Sequence, residues 1–422
     1  MYIIHLFKND NQKGKVASVK NVTRHSEKET NTKSKKKSTD TKWAVRAEKQ
    51  HTYTHPWLLT TLKGHTGHVL DMDFSSSGKY LASCAEDRTV LLWCVKDLEH
   101  KERRSLRINI EFDYATHVKW SPDTKAFIIS RSTDNNVEVY KVERKKDSWL
   151  GPVSKAITFP KVHEEDVVGL GIACNGRFIM TCSAKTDLVL WDLRGHELAR
   201  VDTYLMSTMC ARISPCGRFI VASGFAPDVK VWEVSFSKTG DFQQVKRAFE
   251  LSGHTSGIYD VAFDADTSHM ATVSKDGTWK LYDTKIEYTK GEDPHLKVTG
   301  KYKQASGHPV HIALSPNADV VAISVGNNLY MYATASAELD CHICDVYVGH
   351  ITALMFDSVG KYLLTSGDKH IRVFHNVTGY KCAIVSAKEK LKSHQTSATK
   401  ERLQTIMADS VAFLKTLGVQ AD

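Results

Sequence analysis

Two stretches of this chain, LKGHTGHVLDMDFSSSGKYLASCAEDRTVLLWC (residues 62–94) and LSGHTSGIYDVAFDADTSHMATVSKDGTWKLYD (residues 251–283), align without a gap. In both, the histidine of a Gly-His pair stands 28 residues before a closing aromatic, as His65 to Trp93 and His254 to Tyr282. A third copy keeps the interval with His163 and Trp191, and weaker copies close at Tyr140, Trp232, Tyr332 and Phe374, which makes seven units. A repeat of this length is one supersecondary unit that cannot bury its apolar face alone, so the units must stack on one another.

The content of each unit decides its type. Short apolar runs are separated by Gly- or Pro-punctuated turns, as SSSGKY (75–80), NGRF (175–178), SPCGRF (214–219) and SVGKY (358–362), with hardly any helical periodicity between them. That predicts an all-β repeat fold. Gly-His, a Ser/Thr, an Asp and a Trp-Asp-like ending at this spacing resemble the WD40 repeat over residues 55–385. The resemblance implies a seven-bladed β-propeller, with each blade locked by a hydrogen-bonded His, Ser/Thr, Asp and Trp. Carried over by position, the locks are His65, Ser83, Asp87 and Trp93 in the first blade and His254, Thr272, Asp276 and Tyr282 in the fifth. The second blade offers Ser130 and Asp134 without a histidine, the third His163, Thr181 and Trp191 with Lys185 where Asp belongs, and the fourth only Trp232. Such groups are costly to bury singly and satisfy one another in series. Pro56–Leu62 is expected to complete the last blade and close the ring, which removes an open sheet edge.

Because the His, Ser and Asp residues recur with the repeat, they read as architecture rather than as a catalytic set. No GxSxG, HExxH, P-loop or strand-following GxGxxG occurs in the sequence. No enzyme activity, cofactor, metal or small-molecule substrate is therefore expected. The nine cysteines are scattered and mostly sit in apolar runs, which points to a reducing compartment, and the single CxxC of Cys341 and Cys344 lacks a partner pair. Candidate partner-binding positions lie beside the locks, where loops and turns emerge on one face: His68, Glu86, Tyr259 and Lys275.

The formal charge of +9 is uneven, for residues 1–50 alone carry +8 and residues 386–422 carry +2, leaving the body near −1. The basic segment, with Lys33, Lys35, Lys36 and Lys37 at its centre, is nearly free of large apolar residues and is expected to be disordered. Residues 11–50 are either a solvated linker or a contact for RNA phosphates or an anionic membrane. No run of 18 apolar residues exists, though the apolar residues 1–7 fit the remnant of a membrane anchor. Residues 386–422 carry Leu391, Leu403, Ile406, Met407, Val411, Leu414 and Leu417 largely at helical spacing, which predicts a C-terminal amphipathic helix.

Segments outside the repeat pattern narrow the family. SPCGRFIVASGFAPDVKVWEVSFSKTGDFQQVKRAFELSGH (214–254), VSKDGTWKLYDTKIEY (273–288) and LSPNADVVA (314–322) resemble the transducin beta-like protein 2 family of WD40 proteins. That resemblance implies a non-catalytic scaffold for protein partners on the cytosolic side of the endoplasmic reticulum, associated with the stress kinase of that membrane. The competing reading is an RNA- or ribosome-associated protein that uses the basic N-terminal segment.

Overall fold

A computed structural model describes residues 53–100, 103–144, 150–305 and 307–420. The basic segment at residues 1–50, including Lys33, Lys35, Lys36 and Lys37, lies outside the described residues. Twenty-eight described strands, from β1 (Leu58–Lys63) to β28 (His370–His375), form seven antiparallel sheets of four.

The innermost strands are β2 (Val69–Phe74), β6 (Ala115–Trp120), β10 (Val167–Ile172), β14 (Thr208–Ile213), β18 (Ile258–Phe263), β22 (Val310–Leu314) and β26 (Ala353–Phe356). Each lies beside that of the next blade, and β26 returns to β2, so the sheets form a closed ring. The ring is fastened by β1, which pairs with β28 in register from Thr60 opposite Val373 to Lys63 opposite His370. The last blade is therefore built from both ends of the repeat region and leaves no open edge there.

Packing follows from the sequence pattern. Second and third strands such as β3 (Tyr80–Ala85) and β4 (Thr89–Cys94) are buried along their whole length, because both sheet faces meet a neighbouring blade. The core thus lies in the seams: Tyr80 and Leu92 pack with Val118, Phe127 and Tyr140 between blades 1 and 2, and Phe178 and Leu190 with Ile220 and Trp232 between blades 3 and 4. Shortening one such seam residue to alanine costs about 2–5 kcal/mol.

After β28 the chain turns helical. Asn376 caps helix α1 (Val377–Lys392) by accepting from Gly379 N at 3.0 Å, while its Nδ2 donates to Gly360 O at 2.8 Å. Lys381 and Thr378 both reach Asp340 at 2.7 Å, which ties α1 to blade 6. Where the spacing predicts one helix from residue 386, there are two, and the first begins nine residues earlier. Ser393 leaves the helical conformation, and Thr396 caps a second helix, α2 (Ser397–Thr416), by accepting from Thr399 N. Helix α2 folds back on α1, with Phe413 against His375 and Tyr380 and Leu414 fully buried.

Candidate protein-binding face

The loops that lead into each innermost strand and the turns between second and third strands emerge on one face of the ring, here called the top face. In blade 1 the leading loop is tied down by a single chain of hydrogen bonds. Trp93 Nε1 donates to Ser83 Oγ at 2.9 Å, Ser83 Oγ meets His65 Nε2 at 2.8 Å, and His65 Nδ1 faces Asp87 at 3.2 Å. One proton arrangement satisfies all three contacts, with Ser83 donating to a neutral imidazole whose Nδ1–H points at the carboxylate. Burial holds His65 below the usual histidine pKa despite Asp87. Burial pushes Asp87 up, but hydrogen bonds from Thr89, Thr66 and His65 outweigh it and keep the group ionised. Ser83 is fully buried behind Trp93, so this Ser-His-Asp set cannot meet a substrate.

Blade 5 repeats the arrangement, with His254 Nε2 at 2.7 Å from Thr272 Oγ1 and Nδ1 at 2.9 Å from Asp276. Its closing Tyr282 donates instead to Ser252 O at 2.8 Å. Burial opposes ionisation of Asp276, yet donors from Thr278, Thr255 and His254 bring it down to about 2. In blade 3, Trp191 Nε1 and His163 Nε2 both meet Thr181 Oγ1, at 2.9 and 2.7 Å. Lys185 faces outward to Glu165, so no carboxylate bonds His163 Nδ1, and burial, against the pull of Asp187, drives the imidazole down to about 4.

Blade 2 departs from the expected set. Ser130 is buried with no hydrogen-bond partner for its hydroxyl, and Asp134 is 48% exposed and paired with Arg131. The turn between the second and third strands is one residue longer here. Tyr140 pairs with Phe127, so the position two residues on, held by Ser83 in blade 1, falls to Ile129. A different network fills the blade: Tyr140 OH donates to Glu138 at 2.7 Å, Lys155 reaches Glu138 at 3.1 Å, and Arg131 bridges Glu138 to Asp113.

Blade 4 keeps the register of blade 1 and, of the four lock groups, only the tryptophan. Thr208 pairs with Gly224 and Ile220 with Trp232, which places Tyr204, Ala222 and Ala226 where blade 1 has His65, Ser83 and Asp87. Trp232 packs into the seam core. Tyr204 is turned out to 74% exposure and Met206 to 78%, while Leu205 between them is fully buried. Both exposed residues hold left-handed φ, 51° and 64°, a conformation that bulky side chains rarely adopt.

The loop is nevertheless pinned. Tyr204 N donates to Asp202 at 2.8 Å, Lys230 Nζ donates to Tyr204 O at 3.1 Å, and Thr208 Oγ1 donates to Lys185 O at 2.7 Å. Phe225 N donates to Ser207 O at 2.9 Å, which brings the turn bearing Phe225, 60% exposed, up to the loop that carries Met206. A Cβ on Gly224 would collide with the Ser207 carbonyl oxygen, so this approach of turn to loop requires glycine. Half-exposed Met209 extends the cluster to the central channel, whose wall it joins. Phe112 and Val348, exposed in the leading loops of blades 2 and 7, add to the apolar character of this face.

His68, Glu86 and Lys275 are exposed on the same face, with His68 O accepting from Glu86 N at 2.9 Å and Gly257 O from Lys275 N at 2.9 Å. Tyr259 is half-buried and, with Lys275, lines the channel. Blades 1 and 5 carry these four, two on each, so they lie outside the blade 4 cluster, one pair on the adjoining blade 5 and the other across the ring.

The channel has a volume of about 1200 Å³. Its charged groups answer one another: Asp71 pairs with Lys119 at 2.7 Å and Asp260 with Arg212 at 2.9 Å. The same carboxylates span seams, accepting from Val118 N and Ile312 N. Burial raises Asp73 to about 6, against the pull of Lys119. No cluster of metal-ligating side chains occurs among the described residues.

The WD domain, G-beta repeat profile matches residues 56–94, 245–283 and 339–375, which take in the three inner strands of the locked blades 1 and 5 and of the closing blade. Transducin beta-like protein 2 of mouse is 43% identical over 376 residues, covering 89% of this chain and 85% of the relative. The human protein of that name is 43% identical over 377 residues, covering 89% and 84%. The chain belongs to the transducin beta-like protein 2 family. Human coronin-2A is 22% identical over 57% of the chain and 45% of its own length, a more distant likeness.

Within this transducin beta-like protein 2 family member, sequence reasoning missed Tyr204, Met206, Met209 and Phe225. The signal was present: Tyr204 stands 28 residues before Trp232, where a lock histidine belongs. A non-histidine at that place in an otherwise regular blade marks a loop released from architectural duty.

Proposed function

We propose that this chain is a non-catalytic scaffold that captures a protein partner on its top face, centred on Tyr204, Met206, Met209 and Phe225. The observation that carries the reading is this cluster of large apolar side chains, held outward on a pinned loop with left-handed backbone. Exposed apolar clusters of this kind mark interaction sites, and pinning the loop beforehand lowers the entropy lost on binding. Burying Tyr204 and Phe225 under a partner supplies about 1.5–3 kcal/mol each. Two thioether side chains adapt to an irregular apolar surface, and Lys230 beneath the Tyr204 ring adds a cation–π contact at 5.6 Å.

The family resemblance supports a more specific assignment: the partner is the stress kinase of the endoplasmic reticulum, met on the cytosolic side of that membrane. Among the described residues no helix is long and apolar enough to cross a membrane, so on this reading attachment falls to other parts of the protein or to partners. The test is binding of the kinase's cytosolic region to the full chain and to a Tyr204→Ala, Phe225→Ala double variant. Loss of binding with an unchanged melting temperature supports the reading; wild-type affinity of the double variant rejects the face, and failure of the wild-type chain to bind rejects the kinase.

The +8 charge of residues 1–50 favours one second reading, contact with RNA or anionic lipid through that segment. Such binding falls steeply with salt and vanishes on deleting residues 1–50, whereas top-face binding survives both.

A further inference from the structure

The face opposite the leading loops carries the hairpin turns between first and second strands. Three of the nine cysteines are exposed, and two of these, Cys174 and Cys216, occupy neighbouring turns on this face. Cys174 lies in the turn Ala173–Phe178 of blade 3, and Cys216 in the turn Ser214–Phe219 of blade 4. The two turns touch: Asn175 Nδ2 donates to Gly217 O at 3.4 Å. Gly217, at φ 69°, packs so closely on its neighbour that an added Cβ would sit 2.8 Å from Cys174 Sγ and 3.2 Å from Cys174 N. The Cys174 sulfur therefore rests against the residue next to Cys216.

Cys216 is also set up to react. Its Sγ is 3.2 Å from Ser214 Oγ, whose oxygen already accepts from Phe219 N and so has its own O–H to donate. Partial burial pushes the Cys216 thiol up, but hydrogen bonds from Ser214, Thr267 and the Arg218 and Phe219 amides outweigh it and hold the thiol below its ordinary value. Cys174 is shifted the other way, first by burial and then by the charge on Cys216. A thiol held below its ordinary value beside one pushed above it is the order that suits an attacking and a resolving cysteine.

We propose that Cys216 and Cys174 are a redox modification site, at which peroxide closes a reversible disulfide between the turns of blades 3 and 4. The Cys216 thiolate attacks one peroxide oxygen and expels hydroxide, which leaves as water after protonation, giving a sulfenic acid. The Cys174 thiol attacks that sulfur, the S–O bond breaks, and a second water leaves. Two thiols and one hydrogen peroxide thus become one disulfide and two waters, and a thiol reductant such as glutathione reverses the step. Closure requires the Cys216 sulfur to leave Ser214 and meet the Cys174 sulfur across the touching turns.

The test uses the full folded chain treated with hydrogen peroxide, alkylated, digested without reduction and examined by peptide mass spectrometry. The expected product links the peptides bearing Cys174 and Cys216, disappears on reduction, and is absent from Cys174→Ser and Cys216→Ser while forming normally in Cys344→Ser. Before oxidation, Cys216 is expected to alkylate faster than Cys174 at neutral pH. Because both cysteines are exposed, the serine variants are expected to keep the wild-type melting temperature. Peroxide that leaves Cys216 as a sulfinic acid with Cys174 still alkylatable, or that links either residue to Cys344, overturns the proposal.

Discussion

Blades 1 and 4 share a strand register and use it in opposite ways. In blade 1 the leading loop is drawn inward, because His65 finds Ser83 and Asp87 waiting in the sheet. In blade 4 those two positions are Ala222 and Ala226, and a polar ring drawn inward would find no partner. Tyr204 turns outward instead, and the loop is held by backbone and lysine contacts around it. The locks of blades 1 and 5, with the β1–β28 closure, stiffen the ring, and blade 4 is thereby free to present apolar surface. On the proposed reading, architecture and recognition are divided among blades of one repeat.

The largest expected effects lie on the locked side. His254→Ala or His65→Ala leaves a buried hydroxyl without its acceptor while neighbouring threonines still serve the carboxylate, and each is expected to lose about 2 kcal/mol of stability in denaturant unfolding, at about 1–3 per orphaned group. Tyr204→Ala, at the equivalent position of blade 4, is expected to change stability by less than about 0.5 kcal/mol. Equal losses at His65 and Tyr204 would break the comparison.

Acid sharpens it next. Folded His163 takes up its proton only near pH 4, where burial has driven it, while the unfolded chain takes it up near 6.5. Between those values the unfolded state binds more protons, so stability falls as the pH drops from 6.5 towards 4, by about 3 kcal/mol for this residue. His163→Gln is expected to be less stable at pH 7 and to lose less on acidification, which melting temperatures at pH 7 and 5 will show.

Smaller effects belong to blade 4. Phe225→Ala and Tyr204→Ala are each expected to weaken partner binding about tenfold, or about 1.4 kcal/mol, by calorimetry. Tyr204→Gly is expected to weaken binding equally while raising stability by about 0.5–1 kcal/mol, because glycine adopts the left-handed φ without strain. A loss of stability in that variant would mean that the tyrosine supports the loop.

What could be read from the sequence follows the same division. The locks of blades 1 and 5 were legible because a fixed interval of 28 residues survives wherever turn lengths are constant. Blade 2 defeated the count because one extra turn residue moved Ile129 into the place reserved for Ser130. The channel pairs were hidden, since Asp71 and Lys119, or Arg212 and Asp260, come from different blades and meet only when the ring closes. The helical break was marked by Ser393 and Thr396, which end one helix and begin another, within a stretch whose apolar spacing continues across them. Tyr204 was visible as a missing histidine, but its exposure depends on the alanines opposite, which register alone reveals.

The central claim is that partners dock on blade 4 of the top face while the locked blades stand behind it as support. Amide hydrogen exchange of the full chain, with and without the kinase's cytosolic region, addresses it directly. Slowed exchange at residues 203–209 and 224–228, with residues 66–68 and 86–88 unchanged, is the predicted result. Slowed exchange confined to residues 66–68 and 86–88, or to the opposite face, would contradict it.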